Sequence, residues 1–187
     1  PGEGPGTTET ILFKIYGVSN PNLILGHNNS RDLDNGRMAP TRNLIRKFLY
    51  TDGFPAFNTD NTASAVQSPL FVAEGSEPAY NTVLQNRDPR LGFTVFLSGE
   101  EAYKGPWVPT TSLGARSAFA AKKGFNVEDQ TINNAGTVDR ILIRYAEVLL
   151  IYAEAKFELN ESISDADLDK SINLLRTRVG FNVKLTN

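Results

Sequence analysis

The segment VDRILIRYAEVLLIYAEAKFELN, Val138 to Asn160, is the most apolar part of the chain, yet it carries charges at regular intervals. Its apolar residues recur at the spacing of one helix face: Ile141, Tyr145, Val148, Leu149, Tyr152 and Leu159. The remaining narrow stripe holds the charged residues Arg144, Glu147, Glu154 and Glu158. This periodicity predicts a long helix whose wide apolar surface packs on other elements.

The same segment is too charged for a membrane span. A spanning helix needs about 20 mostly apolar residues, whereas the uncharged runs here are only 141–143 and 148–153. A charged residue at the centre of a span costs about 2.5–3.5 kcal/mol on insertion scales. Because Arg144, Glu147 and Glu154 all interrupt the segment, we reject a transmembrane helix.

A second helix is predicted directly after the break NESIS. Ser164 is a good N-cap, and Asp165 and Asp167 fall in the first turn, where the helix dipole favours negative charge. Apolar residues then repeat at helical spacing: Leu168, Ile172, Leu175 and Val179. Gly180 is placed to cap the end. Two helices joined by a short loop pack antiparallel, and apolar faces this wide predict contact with further helices, as in a helical repeat array.

Residues 1–136 differ in composition, being rich in Gly, Pro, Asn, Ser and Thr. TILFKIY (10–16) and LGFTVFLSG (91–99) predict short strands. PTRNLIRKFLYTDG (40–53) predicts a helix that starts near Pro40 and Thr41 and ends at Gly53. The rest predicts long loops, which are often functional. We therefore expect a mainly α fold with extensive loops and a few short strands, in which residues 137–187 form a helical hairpin.

Composition excludes several classes of function. The net charge of −2 argues against a nucleic-acid-binding protein. With no cysteine, the chain has no disulfide, thiolate zinc site or cysteine nucleophile. RDLDNG (31–36) departs from a calcium loop, because Gly36 comes one position early and Asn43 stands where a glutamate is expected. Since there is also a single histidine, we expect neither a metal nor another cofactor.

Four segments resemble the SusD-like (RagB/SusD) family of outer-membrane nutrient-binding lipoproteins. RYAEVLLIYAEA (144–155) followed by INLLRTRVG (172–180) is similar to the family's helix pair, with Val179 where alanine is usual. NRDPRL (86–91), PTRNLIRKFLYTDG (40–53) and the early strand TILFKI (10–15) match in the expected order. The resemblance implies that residues 1–136 are the ligand-facing part and 137–187 a TPR-like hairpin of one larger SusD-like domain.

The resemblance also implies a function. Members of the family lie on the outer cell surface, held by a lipid anchor that this sequence does not include. They cap a TonB-dependent transporter of the SusC type and deliver a glycan, or in some members a peptide, without catalysis. A different hypothesis, based on the helix pair alone, is a TPR-like scaffold for protein partners.

The charged stripe has two interpretations. Glu147 and Glu154 lie about 10 Å apart by helix rise, near the upper range for the carboxylates of an inverting glycosidase. In the structural interpretation, which we favour, Arg144 pairs with Glu147, while Glu154 meets Arg176 or Arg178 of the next helix. Such pairs would fix the register of the two helices, since buried ions need partners.

NRDPR also has two interpretations. Arg87 and Arg90 could clamp a carboxylate or sulfate. Alternatively, the segment is a turn in which Asp88 caps backbone N–H groups and the arginines fasten loops to helices. We favour the turn.

Aromatic residues on the loops are the candidate ligand contacts. Trp107, in YKGPWVP (103–109), is either a platform for the apolar face of a sugar or the anchor of a long loop. The weaker candidates of the same kind are Tyr103, Tyr80, Phe57 and Phe54.

Overall fold

The computed structural model describes residues 8–17, 26–31, 39–109 and 118–187. The strands in this part are β1 (Thr10–Lys14), β2 (Glu101–Ala102), β3 (Gly105–Pro106) and β4 (Arg140–Arg144). The α-helices are α1 (Arg42–Arg46), α2 (Tyr145–Asn160), α3 (Asp165–Asp169) and α4 (Ile172–Arg178). Single 3-10 turns lie at Tyr80–Val83, Pro89–Phe93 and Glu128–Gln130. Since most described residues lie in loops, the expected fold is confirmed for its few helices, short strands and loops, but not as mainly helical.

The chain divides into two compact units. We call Pro1–Tyr16 with Asp139–Asn187 the terminal unit, and Gly17–Val138 the central unit. The boundary after Val138 lies close to the change in composition seen in the sequence. The possible calcium loop around Asp32 and Gly36 lies outside the described residues.

In the terminal unit, β1 pairs antiparallel with β4, Thr10 opposite Arg144 and Lys14 opposite Arg140. The predicted strand at the start of the chain is therefore confirmed. The prediction that the helix already includes residues 138–144 is wrong, because the β-branched and apolar run RILIR pairs with β1 instead. The helix begins at Tyr145, whose N–H donates to the Glu9 carbonyl at 2.8 Å.

The second predicted helix is present but broken. The Ser164 side chain accepts a hydrogen bond from the Asp167 N–H, which confirms the predicted N-cap. The helix ends at Asp169, and α4 starts at Ile172 after Ser171, whose hydroxyl donates to the Asp167 carbonyl at 2.6 Å. Such back-bonding disturbs a helix. At the end, Gly180 takes the left-handed conformation (φ 86°), and Phe181 N–H donates to the Arg176 carbonyl, a Schellman cap.

Both α3 and α4 contact α2, which buries Leu149 and Ala153. Within the terminal unit, much of the apolar surface of α2 is nevertheless exposed. The exposed residues are Tyr145, Val148, Leu150, Ile151, Phe157 and Leu159. The wide apolar face predicted for this helix is therefore only partly covered by α3 and α4.

The central unit is held by two buried clusters of side chains. One contains Phe96, Ala102, Trp107 and Ala120. The other contains Ile45, Leu84, Leu91, Val95 and Phe119, with Tyr80 packed against it. Because regular backbone pairing is scarce here, these clusters position the loops.

Two elements of the central unit differ from their predictions. α1 starts at its predicted cap, since the Thr41 side chain accepts from the Leu44 N–H. It ends early, and Gly53 instead lies in a tight turn (φ 84°) whose N–H donates to the Tyr50 carbonyl. The predicted strand at 91–99 is wrong. Asp88 caps a 3-10 turn at Pro89–Phe93, which turns the first residues of that segment out of an extended conformation.

The cap at Ser164 allows a direct test. We expect Ser164→Ala to lower the free energy of unfolding of the terminal unit by about 1 kcal/mol, because the Asp167 N–H loses the side-chain acceptor of the cap and keeps only the Ser164 carbonyl. Urea denaturation followed by circular dichroism measures the change. Ser162→Ala removes an exposed hydroxyl two residues earlier and serves as the control. An equal loss in both variants would contradict the assignment.

Candidate functional site

Trp107 is buried, with 2 % of its surface exposed. Its ring lies 6.3 Å from that of Phe96, and its backbone N–H donates to the Glu100 carbonyl at 2.8 Å. The preceding turn of the β2–β3 hairpin is closed by Lys104 and Gly105, both with positive φ. Trp107 therefore anchors its loop to the core and is not an exposed platform.

Among the aromatic residues predicted as ligand contacts, Tyr80 lines a pocket. Its hydroxyl donates to the Phe96 carbonyl at 3.2 Å, and its ring lies 5.7 Å from that of Phe119 at 38°. Burial raises the pKa of the Tyr80 hydroxyl. The pocket, which we call the Tyr80 pocket, has a volume of about 250 Å³. It is lined by Arg42, Glu77, Ala79, Tyr80, Val83, Ala118 and Phe119.

An ion pair forms the polar side of the Tyr80 pocket. Arg42 Nη1 lies 2.9 Å from Glu77 Oε1 and 3.4 Å from Glu74 Oε1. The hydrogen bond to Glu77 raises the pKa of Arg42. Burial opposes ionisation of Glu77, but Arg42 and the Gly75 N–H together hold its pKa below the usual range. The pocket thus combines two aromatic rings with one charged donor, Arg42, and one charged acceptor, Glu77, which hold each other in place.

Sequence reasoning missed Arg42 and Glu77 as pocket residues. They stand 35 positions apart, in α1 and in a loop, so no periodicity relates them. Arg42 is placed by the cap at Thr41, which starts α1. That cap was the one local signal in the sequence that could have drawn attention to the neighbouring arginine.

The other aromatic candidates lie elsewhere in the central unit. The Tyr103 ring is covered by Arg31 at 5.2 Å and Lys104 at 4.7 Å. Phe57 meets Phe71 edge-on at 5.5 Å and Arg46 at 4.8 Å. Phe54 is 40 % exposed. None of the three lines the Tyr80 pocket.

NRDPR forms a turn, as favoured. Asp88 is buried, accepts from the Arg90 backbone N–H at 2.9 Å and pairs with the Arg90 side chain. Arg87 is also buried and donates from Nη1 to the Phe48 carbonyl at 3.0 Å. Its guanidinium lies 4.0 Å from the centre of the Tyr50 ring. Arg87 therefore fastens this turn to the segment that follows α1.

The charged stripe does not form the predicted pairs. Arg144 and Arg178 both pair with Glu9, the former at 2.8 Å. Arg176 is buried and donates to the Val183 carbonyl at 2.9 and 3.0 Å. Glu147 and Glu154 are exposed, and neither forms an ion pair with any residue that the structure describes. The predicted pairing failed because Arg144 ends a strand, and Glu9 stands next to its partner Thr10.

The described ranges contain no helix long and apolar enough to cross a membrane. Within the same ranges, no three His, Cys, Asp or Glu side chains come together in a way that could hold a metal ion.

The comparison with known families identifies the chain. The model of the SusD family matches residues 20–185. This chain belongs to the SusD family. The resemblance recognised from the four sequence segments is thereby confirmed.

Solved structures of SusD-like proteins share the fold. A SusD-like carbohydrate-binding protein from Bacteroides fragilis is 25 % identical, with a TM-score of 0.65 over 98 % of this chain and 36 % of its own. A second SusD-like protein from the same species is 22 % identical, with a TM-score of 0.62 over 97 % of this chain and 38 % of its own. This chain thus spans little more than a third of these relatives. No curated protein sequence matches it significantly.

The lowered pKa of Glu77 predicts that the stability of the folded protein depends on pH. A carboxylate with a lower pKa in the folded state contributes stability above the unfolded pKa, about 4.3 for glutamate. That contribution is lost as the pH falls through the lower folded value, because the ion pair with Arg42 breaks on protonation. We expect Glu77→Gln to flatten the loss of stability below pH 5, as measured by chemical denaturation at several pH values.

The matched control is Glu101→Gln, at an exposed glutamate that does not line the Tyr80 pocket. It should leave the acid part of the stability profile close to that of the unmodified chain. Identical profiles for Glu77→Gln and the unmodified chain would contradict a stabilising ion pair at the pocket.

Proposed function

We propose that the protein binds a glycan at the outer cell surface without catalysis and delivers it to a TonB-dependent transporter of the SusC type. The Tyr80 pocket is the glycan contact contributed by this segment. Membership of the SusD family supports the class of function. The observation that carries the proposal for this chain is the combination of Tyr80 and Phe119 with the Arg42–Glu77 pair around one pocket.

The pocket has the chemistry that a sugar ring requires. The half-buried Tyr80 ring offers apolar surface to the C–H face of a pyranose, and the buried Phe119 ring supports it from the core. Arg42 can donate to ring hydroxyls, and Glu77 can accept from them. Charged partners make these hydrogen bonds stronger than neutral ones. The volume of about 250 Å³ lies below the roughly 300–1,000 Å³ of drug-sized sites, so the pocket suits a single sugar residue of a longer chain.

The ionisation of the carboxylates at the pocket supports binding without hydrolysis. A glycosidase needs one carboxyl group kept protonated as general acid, which requires a raised pKa. The pKa of Glu77 is lowered, and hydrogen bonds from Arg46 lower that of Glu74 as well. Glu147 and Glu154, the other candidate pair, lie exposed on α2. Glu74 and Glu77 therefore favour accepting hydrogen bonds from sugar hydroxyls over donating a proton.

We assign the terminal unit a structural role. In this proposal, α2 with α3 and α4 acts as a TPR-like pair, and further helices of the protein cover the apolar face of α2. The exposure of Leu150, Ile151, Phe157 and Leu159 supports this role. A lipid anchor holds the protein at the outer membrane, where it meets the transporter.

Binding measurements distinguish between the possible ligands. Calorimetry of the full-length protein against a panel of glycans tests the sugar version, and no binding to any glycan would favour a peptide ligand. Pull-down from outer membranes tests the partner. Recovery of soluble proteins but no transporter would favour the TPR-like scaffold, which the exposed apolar face of α2 would also serve.

Tyr80→Leu tests the pocket itself. We expect the variant of the full-length protein to bind its glycan about tenfold more weakly, equivalent to about 1.4 kcal/mol, because the aromatic surface is lost. Calorimetry measures the change.

Phe93→Ala is the control for Tyr80→Leu, since Phe93 is 74 % exposed and does not line the pocket. It should keep full affinity. Unchanged glycan binding in Tyr80→Leu would move the binding site out of the Tyr80 pocket, while leaving the class of function standing.

A further inference from the structure

A second, smaller cavity adjoins the Tyr80 pocket and shares Arg42, Glu77 and Val83 with it. Its volume of about 10 Å³ leaves room for one water-sized particle. The polar residues that line it are Arg42, Arg46, Tyr50, Glu74, Glu77, Thr82 and Arg87. We call it the Arg87 cavity.

Arg87 is a buried cation that forms no ion pair with a carboxylate among the residues that the structure describes. It is 8 % exposed, and its Nε makes no hydrogen bond with any group in the described part of the chain. Its contacts are the Phe48 carbonyl and the face of the Tyr50 ring. Burying a charge is costly unless it is paired and hydrogen-bonded, so this guanidinium needs a further counter-charge.

The nearby carboxylates are already taken by other groups. Glu74 Oε1 accepts from Arg46 Nε at 2.8 Å, and Glu74 also pairs with Arg42. Glu77 pairs with Arg42 at 2.9 Å and accepts from the Gly75 N–H at 2.6 Å. Three arginines therefore face two glutamates around the Arg87 cavity, which leaves one positive charge in excess.

Hydrogen-bond donors are in excess as well. Among the described residues, neither the Tyr50 hydroxyl nor the Thr82 hydroxyl forms a hydrogen bond, although both residues line the cavity. Together with Arg87 Nε, three donors lack an acceptor. Burial lowers the pKa of Arg87, although the charge of Glu74 acts in the opposite direction. Burial also raises the pKa of Tyr50, so its hydroxyl keeps its proton and remains a donor. Surplus donors and surplus positive charge suit an anion.

We propose that the Arg87 cavity binds a single halide ion of chloride size, held by Arg87 and the hydroxyls of Tyr50 and Thr82. A water molecule fits the space but does not neutralise the guanidinium. A carboxylate or sulfate carries several heavy atoms, so the small volume of about 10 Å³ favours a monatomic anion over either of them. The bound ion connects α1 with the NRDPR turn, and so supports Arg42 at the neighbouring Tyr80 pocket.

Thermal unfolding of the chain in different salts tests the proposal. Sodium chloride, sodium bromide and sodium gluconate are compared at equal ionic strength, so that general screening is the same in all three. We expect Tm in either halide to exceed that in gluconate by about 3–6 °C when the halide is at ten times its Kd. The increase should saturate with halide concentration. Equal Tm in halide and gluconate would overturn the proposal.

Variants test whether the halide-dependent increase in Tm arises at the Arg87 cavity. Arg87→Gln should abolish the difference between halide and gluconate, whereas Lys123→Gln, at an exposed lysine outside the cavity, should keep it. Should Arg87→Gln fail to fold, Tyr50→Phe carries the test, because it keeps the ring beneath Arg87 and removes one donor. We expect Tyr50→Phe to reduce the difference, and an undiminished difference there would overturn the site.

Crystals grown in bromide give an independent measurement. The anomalous signal of bromide should appear within hydrogen-bond distance of Arg87 Nε. A water molecule at this position, with no anomalous signal, would show that the cavity is only hydrated and would overturn the proposal.

Discussion

Packing of the Trp107 indole against Phe96 and Ala120 is the interaction on which the central unit depends. Long loops lose much conformational entropy when they become ordered, and short strands return few backbone hydrogen bonds in exchange. Buried aromatic rings supply the compensating stabilisation, since each removes a large apolar area from water. The Tyr80 hydroxyl is fixed to the Phe96 carbonyl, so the candidate glycan contact rests directly on this core.

The local part of the fold could be predicted from sequence. Caps at Thr41 and Ser164 and the turn at Gly180 depend on side chains within a few residues, and those predictions match the structure. The start of α2 could not be predicted, because RILIR suits both a helix and a strand. Its partner β1 lies more than 120 residues away, and only that pairing decides between the two.

The candidate site could be predicted from sequence only in part. The sequence singles out aromatic residues on loops, but it cannot show that Trp107 is buried while Tyr80 lines a pocket. The charged residues show the same limit. Arg144 had an apparent partner three positions along a helix, but its real partner, Glu9, lies immediately before β1, the strand that pairs with β4.

The position of Glu9 has a practical consequence for shortening the chain. One carboxylate, immediately before β1, neutralises Arg144 on β4 and Arg178 on α4. Trimming the chain to begin at β1 would keep every residue of the sheet yet leave two neighbouring arginines to repel each other. A shortened protein would therefore be most soundly designed to start ahead of Glu9, even though that residue belongs to no helix or strand.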